Sequence, residues 1–259
     1  MTQVLAITNQ KGGVGKTTTS VNLAAALAKA GKRVLLVDLD PQANATMGSG
    51  VDKRTLAASV YQVLLGLCTA ETARQRSTAG GYDLIPANRD LAGAEVELVD
   101  LEHRETRLKS ALVPIIADYD FILLDCPPSL NMLTVNGLTV ADAVMIPMQC
   151  EYYALEGLSD LVNTIKRVRQ HLNPRLQIEG LLRTMYDPRN TLAQHVSAQL
   201  QSHFGDKVYA TVIPRNVRLA EAPSYGAPAV TFDQGCKGAQ AYLALADEIL
   251  SRQGIPAAA

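Results

Sequence analysis

Ile7-Thr8-Asn9-Gln10-Lys11-Gly12-Gly13-Val14-Gly15-Lys16-Thr17-Thr18-Thr19 is the stretch from which the fold of this chain can be read. Val4, Leu5, Ala6 and Ile7 precede the glycines as a short apolar run, the pattern of a buried strand. Val21, Ala24, Ala25 and Ala28 follow at helical spacing. A glycine-rich loop between a strand and a helix is the setting of a phosphate-binding loop. Glycine lets the backbone approach an anion and turn its N–H groups inward. The helix start adds the positive end of its dipole. Gly12, Gly13, Val14 and Gly15 then form the phosphate cradle. Lys16 reaches the β- and γ-phosphates, Thr17 offers a hydroxyl to Mg²⁺, and Thr18 stands beside it among the nucleotide contacts. The expected ligands are a nucleoside triphosphate and Mg²⁺.

Outward from the loop, apolar runs recur at residues 33–38, 82–85, 121–125, 143–147, 178–183 and 208–213, with helical stretches between them. Continuous rather than alternating apolar character fits parallel strands covered on both faces. The strand–helix alternation predicts α/β architecture: one doubly wound, mostly parallel sheet flanked by helices, with residues 1–259 as a single domain. Residues 57–67 are expected to be helical. Residues 90–114 place Leu91, Ala94, Leu98 and Leu101 at helical spacing, which predicts an amphipathic surface helix.

Two further stretches carry chemistry. Val34-Leu35-Leu36-Val37-Asp38-Leu39-Asp40-Pro41-Gln42 ends a strand with two carboxylates one residue apart, which point to opposite sides of an extended chain. One can face a metal and the other an attacking water, at the strand end where ligands of open α/β sheets bind. Capping of the next helix is the other use of such an aspartate. Phe121-Ile122-Leu123-Leu124-Asp125-Cys126-Pro127-Pro128 is an apolar strand ending in an acid. That is the pattern by which Asp125 would hold Mg²⁺ directly or through water. Cys126 reads as a buried spectator.

Composition bounds the rest. The chain has 47% apolar residues and can bury a large core, yet it has no Trp and only three Phe, so Ala, Leu, Val and Ile must fill it. The net charge of −1 offers no global attraction to nucleic acid, so any such binding must use a local patch. Cys68, Cys126, Cys150 and Cys236 are scattered without a Cys-x-x-Cys spacing, which argues against a metal cluster or a disulfide framework and for reduced thiols in the cytoplasm. No signal peptide is expected, nor any apolar run approaching the roughly 20 residues of a membrane span.

A standard Walker A loop has glycine at position 10. Here Gln10 stands there and a second lysine, Lys11, opens the loop. Lys-Gly-Gly-Val-Gly-Lys-Thr resembles the deviant Walker A motif of the ParA, MinD and nitrogenase-iron-protein superfamily. Together with residues 32–46, 120–138 and 212–226, it is similar to ParA/Soj-type partition ATPases, of the short kind in which no helix-turn-helix domain precedes the phosphate loop.

That resemblance implies an ATP-sandwich homodimer in which Lys11 acts on the partner's nucleotide. It assigns Asp40 to hydrolysis, Asp38 to the Mg²⁺ water shell, and Pro214 and Asn216 to the adenine. It also implies slow, Mg-dependent ATP hydrolysis stimulated by a ParB/Spo0J-type protein, non-specific binding of double-stranded DNA through Arg189 and Arg218, and residence on the nucleoid. Arg215, Lys207 and Lys237 are expected to extend the DNA patch. One departure is visible: Gln42-Ala43-Asn44 stands where such proteins often have Gln-Gly-Asn, which matters only if residue 43 needs a positive φ. The alternative is a MinD-like, membrane-associated ATPase, which needs a basic amphipathic C-terminal helix. Neither Tyr242, Leu245, Ala246 and Ile249 nor the closing residues 250–259 have that character. A metabolic ligase or cluster carrier and an inactive scaffold fit the motifs less well.

Overall fold

The computed structural model describes residues 2–254; the expectation made for the last five positions lies outside them. Eight strands form one sheet: β1 (Gln3–Ile7), β2 (Val34–Asp38), β3 (Gln75–Ser77), β4 (Tyr82–Ile85), β5 (Phe121–Asp125), β6 (Ala143–Gln149), β7 (Gln177–Tyr186) and β8 (Val208–Pro214). Their order across the sheet is β3-β4-β2-β5-β1-β6-β7-β8. All neighbours are parallel except β3 and β4. The early strands and β5 lie on one side of β1 and β6–β8 on the other, so the loop leaving β1 emerges where the winding reverses, the place where such sheets bind ligands.

The apolar runs are continuous because the sheet is covered twice. Val4, Ala6, Leu35, Val37, Ile122 and Leu124 enter one core, while Leu5, Ile7, Leu36, Phe121 and Leu123 enter the other. Adjacent side chains on a strand point to opposite faces, so a strand buried on both faces must be apolar at every position. On the second face, helix α1 (Lys16–Lys29) lies against the sheet with its alanine run Ala24–Ala26 buried, and the helix Lys237–Arg252 packs beside it through Tyr242, Leu245 and Ile249.

One local expectation is corrected. Residues 90–114 are not one amphipathic helix. The helix Leu91–Glu97 runs into a 3-10 turn, the chain turns at His103 with φ 55°, and a new helix runs over Arg107–Leu112. Leu91, Ala94 and Leu98 are buried as the periodicity required, but the break is imposed from elsewhere. The Asn136 carboxamide oxygen accepts from Leu108 N–H, and its NH₂ donates to the Arg104 carbonyl, so a residue on the helix Met132–Val140 supplies the cap that the local sequence lacks. β3 was not anticipated: its polar Gln75-Arg76-Ser77 has no apolar signal and is a strand only through antiparallel pairing with β4. The helix expected in residues 57–67 spans Val60–Leu65, opened by a Ser59–Gln62 capping box.

No helix among the described residues is long and apolar enough to cross a membrane.

Candidate functional site

The loop after β1 is held from three directions before any ligand enters. Asn9 donates through its side chain to the Pro147 carbonyl at 2.8 Å and accepts from Lys11 N–H at 3.0 Å. Thr184 Oγ1 donates to the Val14 carbonyl at 2.8 Å. Gln149 Nε2 reaches the Gly13 carbonyl at 3.2 Å. Gly15 then turns the chain into α1 with φ 87°, a conformation that a side chain at that position would strain. The first turn of α1 has no side-chain cap, so its N–H groups are left for an anion.

The two lysines of the loop part company. Lys16 is buried, and its ammonium points into the loop, donating to the Lys11 carbonyl at 3.1 Å. Burial lowers its pKa, and the charges of Asp125 and Asp40 act against that shift. Lys11 faces outward, with 47% of its side chain exposed, and its ammonium pairs with Glu151 just beyond β6.

The acidic side is built on β2 and β5, whose last residues, Asp38 and Asp125, sit in register. Asp125 is fully buried and accepts hydrogen bonds from Thr17 Oγ1 and Ser20 Oγ, each at 2.8 Å. Burial, then the nearby Asp38 charge, pushes its carboxyl above the usual carboxylate range. Asp38 is also raised by burial, against the pull of hydrogen bonds from Thr46 N–H (2.9 Å), Thr46 Oγ1 (2.7 Å) and Asp40 N–H (3.1 Å). Its two oxygens therefore anchor the segment after β2, and that segment carries Asp40. Asp40 is half-buried and near enough to Lys16 to act on its charge.

Two adjacent buried acids facing a lysine and a phosphate loop suit a divalent cation, which would remove their mutual repulsion. Among the described residues, no group of three or more His, Cys, Asp or Glu side chains could hold a metal alone. That suits Mg²⁺, which takes one or two protein ligands and completes its shell with phosphate and water. Thr17, Asp125 and Asp38 are the donors at hand. Cys126 is buried, and burial with the Asp125 charge pushes its thiol upward, which keeps it protonated and unreactive.

Beside the loop lies a cavity of about 250 Å³, bordered by Gly15, Thr18, Thr184, Pro214, Asn216 and Leu219. Pro214 and Asn216 are thus brought to the loop from the far end of the chain. Thr184, Ser20, Thr46, Gln149 and Glu151 were not anticipated. Ser20 shares a helix face with Lys16 and Thr17 and could have been found by spacing. Thr184 contacts a loop 170 residues away and left no local signal.

The basic residues separate. Arg189 follows β7, and Arg215 and Arg218 follow β8, at the carboxyl end of the sheet where Tyr186 pairs with Pro214. Lys237 opens the helix whose start packs on Arg218's neighbour Leu219. Lys207 does not join them. It precedes β8, beside Glu179 and Asp206, so the length of that strand, roughly 20 Å at about 3.3 Å per residue, lies between it and Arg215. The two principal arginines are ion-paired: Arg189 with Asp187 at 2.8 Å, and Arg218 with Glu221 at 2.8 Å and Asp233 at 3.2 Å. Arg215 borders the cavity as well as the surface.

Ala43, the departure noted in the sequence, has φ 54° and is fully buried. The left-handed conformation costs alanine about 1–2 kcal/mol. Replacement by glycine would remove that cost, but would lose a buried methyl worth about 0.8 kcal/mol and add about 0.5–1 kcal/mol of chain entropy. Ala43→Gly is therefore expected to change stability by less than about 1 kcal/mol in urea unfolding. Ala43→Val, branched and without space, should lower it by about 2–4 kcal/mol; an unchanged midpoint for the valine variant would contradict the strained geometry.

Similarity to known proteins accords with this site. A family model described as an AAA domain matches residues 2–178. The sporulation initiation inhibitor protein Soj of Bacillus subtilis is 55% identical over 249 residues, covering 96% of this chain and 98% of that protein. The chromosome partitioning protein ParA of Caulobacter vibrioides is 53% identical over 253 residues, covering 97% and 95%. Among solved structures, cobyrinic acid a,c-diamide synthase from Mycobacterium smegmatis with bound ADP and magnesium superposes with a TM-score of 0.87 at 42% identity, covering 99% of each chain.

Proposed function

Because the chain belongs to the ParA/Soj family of partition ATPases, we propose that it is a DNA-partitioning ATPase. ATP and Mg²⁺ assemble a two-fold sandwich dimer that holds DNA non-specifically until hydrolysis, stimulated by a ParB/Spo0J-type partner, releases it. The observation that carries this reading is the opposed direction of the two loop lysines. Lys16 points into its own phosphate cradle, whereas Lys11 points out of it toward Glu151. A cation at the mouth of a phosphate loop, facing away from that loop, would serve a nucleotide presented by a second copy. There it would neutralise charge on the transferring phosphoryl group as an arginine finger does.

Within one subunit the chain's own groups divide the work. The loop N–H groups and Lys16 hold the phosphates. Thr17, with Asp125 and Asp38 behind it, would hold Mg²⁺, which would supply charge neutralisation at the phosphates. Asp40, carried by the segment that Asp38 anchors, would orient the attacking water. Pro214 and Asn216 would lie against the base. Bound ADP and magnesium in the Mycobacterium smegmatis structure support this use of the loop. The amide-forming activity in that protein's name is not carried over, since the Caulobacter vibrioides relative, at the higher identity of 53%, is a chromosome partitioning protein.

The DNA face would be the carboxyl rim of β7 and β8, with Arg189, Arg218, Arg215 and Lys237, on the nucleoid within the cytoplasm. The ion pairs of Arg189 and Arg218 are exposed, and exposed pairs contribute only about 0–1 kcal/mol, so a DNA phosphate can displace their carboxylates. Each phosphate neutralised adds about 0.9 to the salt slope. A rigid dimer doubles the number of contacts and hence the slope, which lets ATP switch DNA binding while the chain as a whole is nearly neutral.

Sizing chromatography with ATP and Mg²⁺, read beside phosphate release, tests the sandwich. Asp40→Ala should persist as a dimer with turnover reduced at least about a hundredfold, the range expected when a group acting on the water is lost. Lys11→Ala should lose both dimerisation and stimulated turnover. Normal behaviour of the lysine variant would remove the trans role.

For the DNA face, Arg218→Glu and Arg189→Glu should still dimerise but lose retention of plasmid DNA at about 100 mM salt, where screening acts beyond about 10 Å. Retention like the parent protein's would reassign the surface.

A further inference from the structure

The wall of the cavity beside the phosphate loop is set by a close approach behind it. Leu219, on the short helix Val217–Glu221, is 8% exposed and borders the cavity on one side. It also meets Gly238, the second residue of the helix Lys237–Arg252. A Cβ at Gly238 would fall 2.6 Å from Leu219 Cγ, 2.7 Å from Cδ1 and 3.1 Å from Cδ2. The backbone there is ordinary helix, so no positive φ calls for glycine, and glycine is the weakest helix former after proline. What a side chain would disturb is the seat of Leu219.

We propose that Gly238 is a positioning residue for the nucleotide: by presenting bare backbone, it lets Leu219 sit back from the cavity and so sets the room left for the base. This rests on the reading that the cavity beside Gly15 and Thr18 takes the base of ATP. With alanine at 238, Leu219 must retreat by roughly 1 Å to regain the usual 3.5–4.0 Å carbon separation. The cavity is the open space it borders, with Tyr242 on the same lining, whereas Ala222 and Ala239 belong to the packed core. The same shift would also affect Arg218, its chain neighbour.

The discriminating measurement is calorimetric titration of the full chain with Mg-ATP and, separately, with inorganic tripolyphosphate. Tripolyphosphate uses the loop but has no base. One methylene of misfit in an apolar pocket is worth about 10–200-fold, so Gly238→Ala should weaken ATP at least about tenfold and leave tripolyphosphate affinity unchanged. Adding Leu219→Ala to that variant should recover most of the loss, because the shortened side chain frees the space again. Wild-type ATP affinity in Gly238→Ala, equal weakening of both ligands, or no recovery in the double variant would overturn the proposal. If the wild-type protein bound ATP no more tightly than tripolyphosphate, the base-pocket reading itself would fall, and this inference with it.

Discussion

The buried carboxylate of Asp125 is the constraint on which the site depends. It closes β5 at the centre of the sheet and receives the hydroxyls of Thr17 and Ser20 from α1. Those two hydrogen bonds tie the helix that follows the phosphate loop to the strand beside the one that precedes it. The loop between them is thereby fixed at both ends. The same carboxylate lies against Asp38, and neither acid is comfortable as a buried anion. This local instability is the counterpart of a cation site: what is unfavourable in the free protein becomes favourable when positive charge arrives.

From that fixed point the remaining parts follow by short links. Asp38 holds Thr46 and the Asp40 backbone, so the segment bearing Asp40 is positioned by the acid that pairs in register with Asp125. Thr184 and Gln149 hold the loop from the ends of β7 and β6. The segment after β8 supplies both a cavity wall, through Pro214, Asn216 and Leu219, and a surface arginine, Arg218. One five-residue helix thus borders the proposed base pocket inside and the proposed DNA face outside, which is a short path for coupling the two.

The strand framework was legible because burial on both faces demands mostly apolar runs, and every strand but β3 carries one, even where Asp83 interrupts β4 and Glu179 and Arg183 interrupt β7. β3 was not legible, because three polar residues become a strand only when β4 offers its edge. The break in residues 90–114 was hidden for a related reason: Asn136, on another helix, supplies the hydrogen bonds that cap the second segment. Ala43 showed a different limit. The sequence could mark it as a departure, but only the backbone angle showed that the position is left-handed and that alanine is strained there.

What the sequence by itself determined is the chemistry near the loop: glycines, lysines and threonines at fixed spacing, and acids at the ends of two apolar strands. These are local patterns, in which backbone geometry follows from neighbouring residues. What only the tertiary structure decided is which distant groups meet them. Arg215, Arg218 and Lys237 gather at one end of the sheet while Lys207 is left at the other, because parallel strands place residues by strand end and not by distance along the chain. Lys11 turns outward to Glu151 and Lys16 inward for the same reason: the partners that separate two like charges in one loop come from other strands.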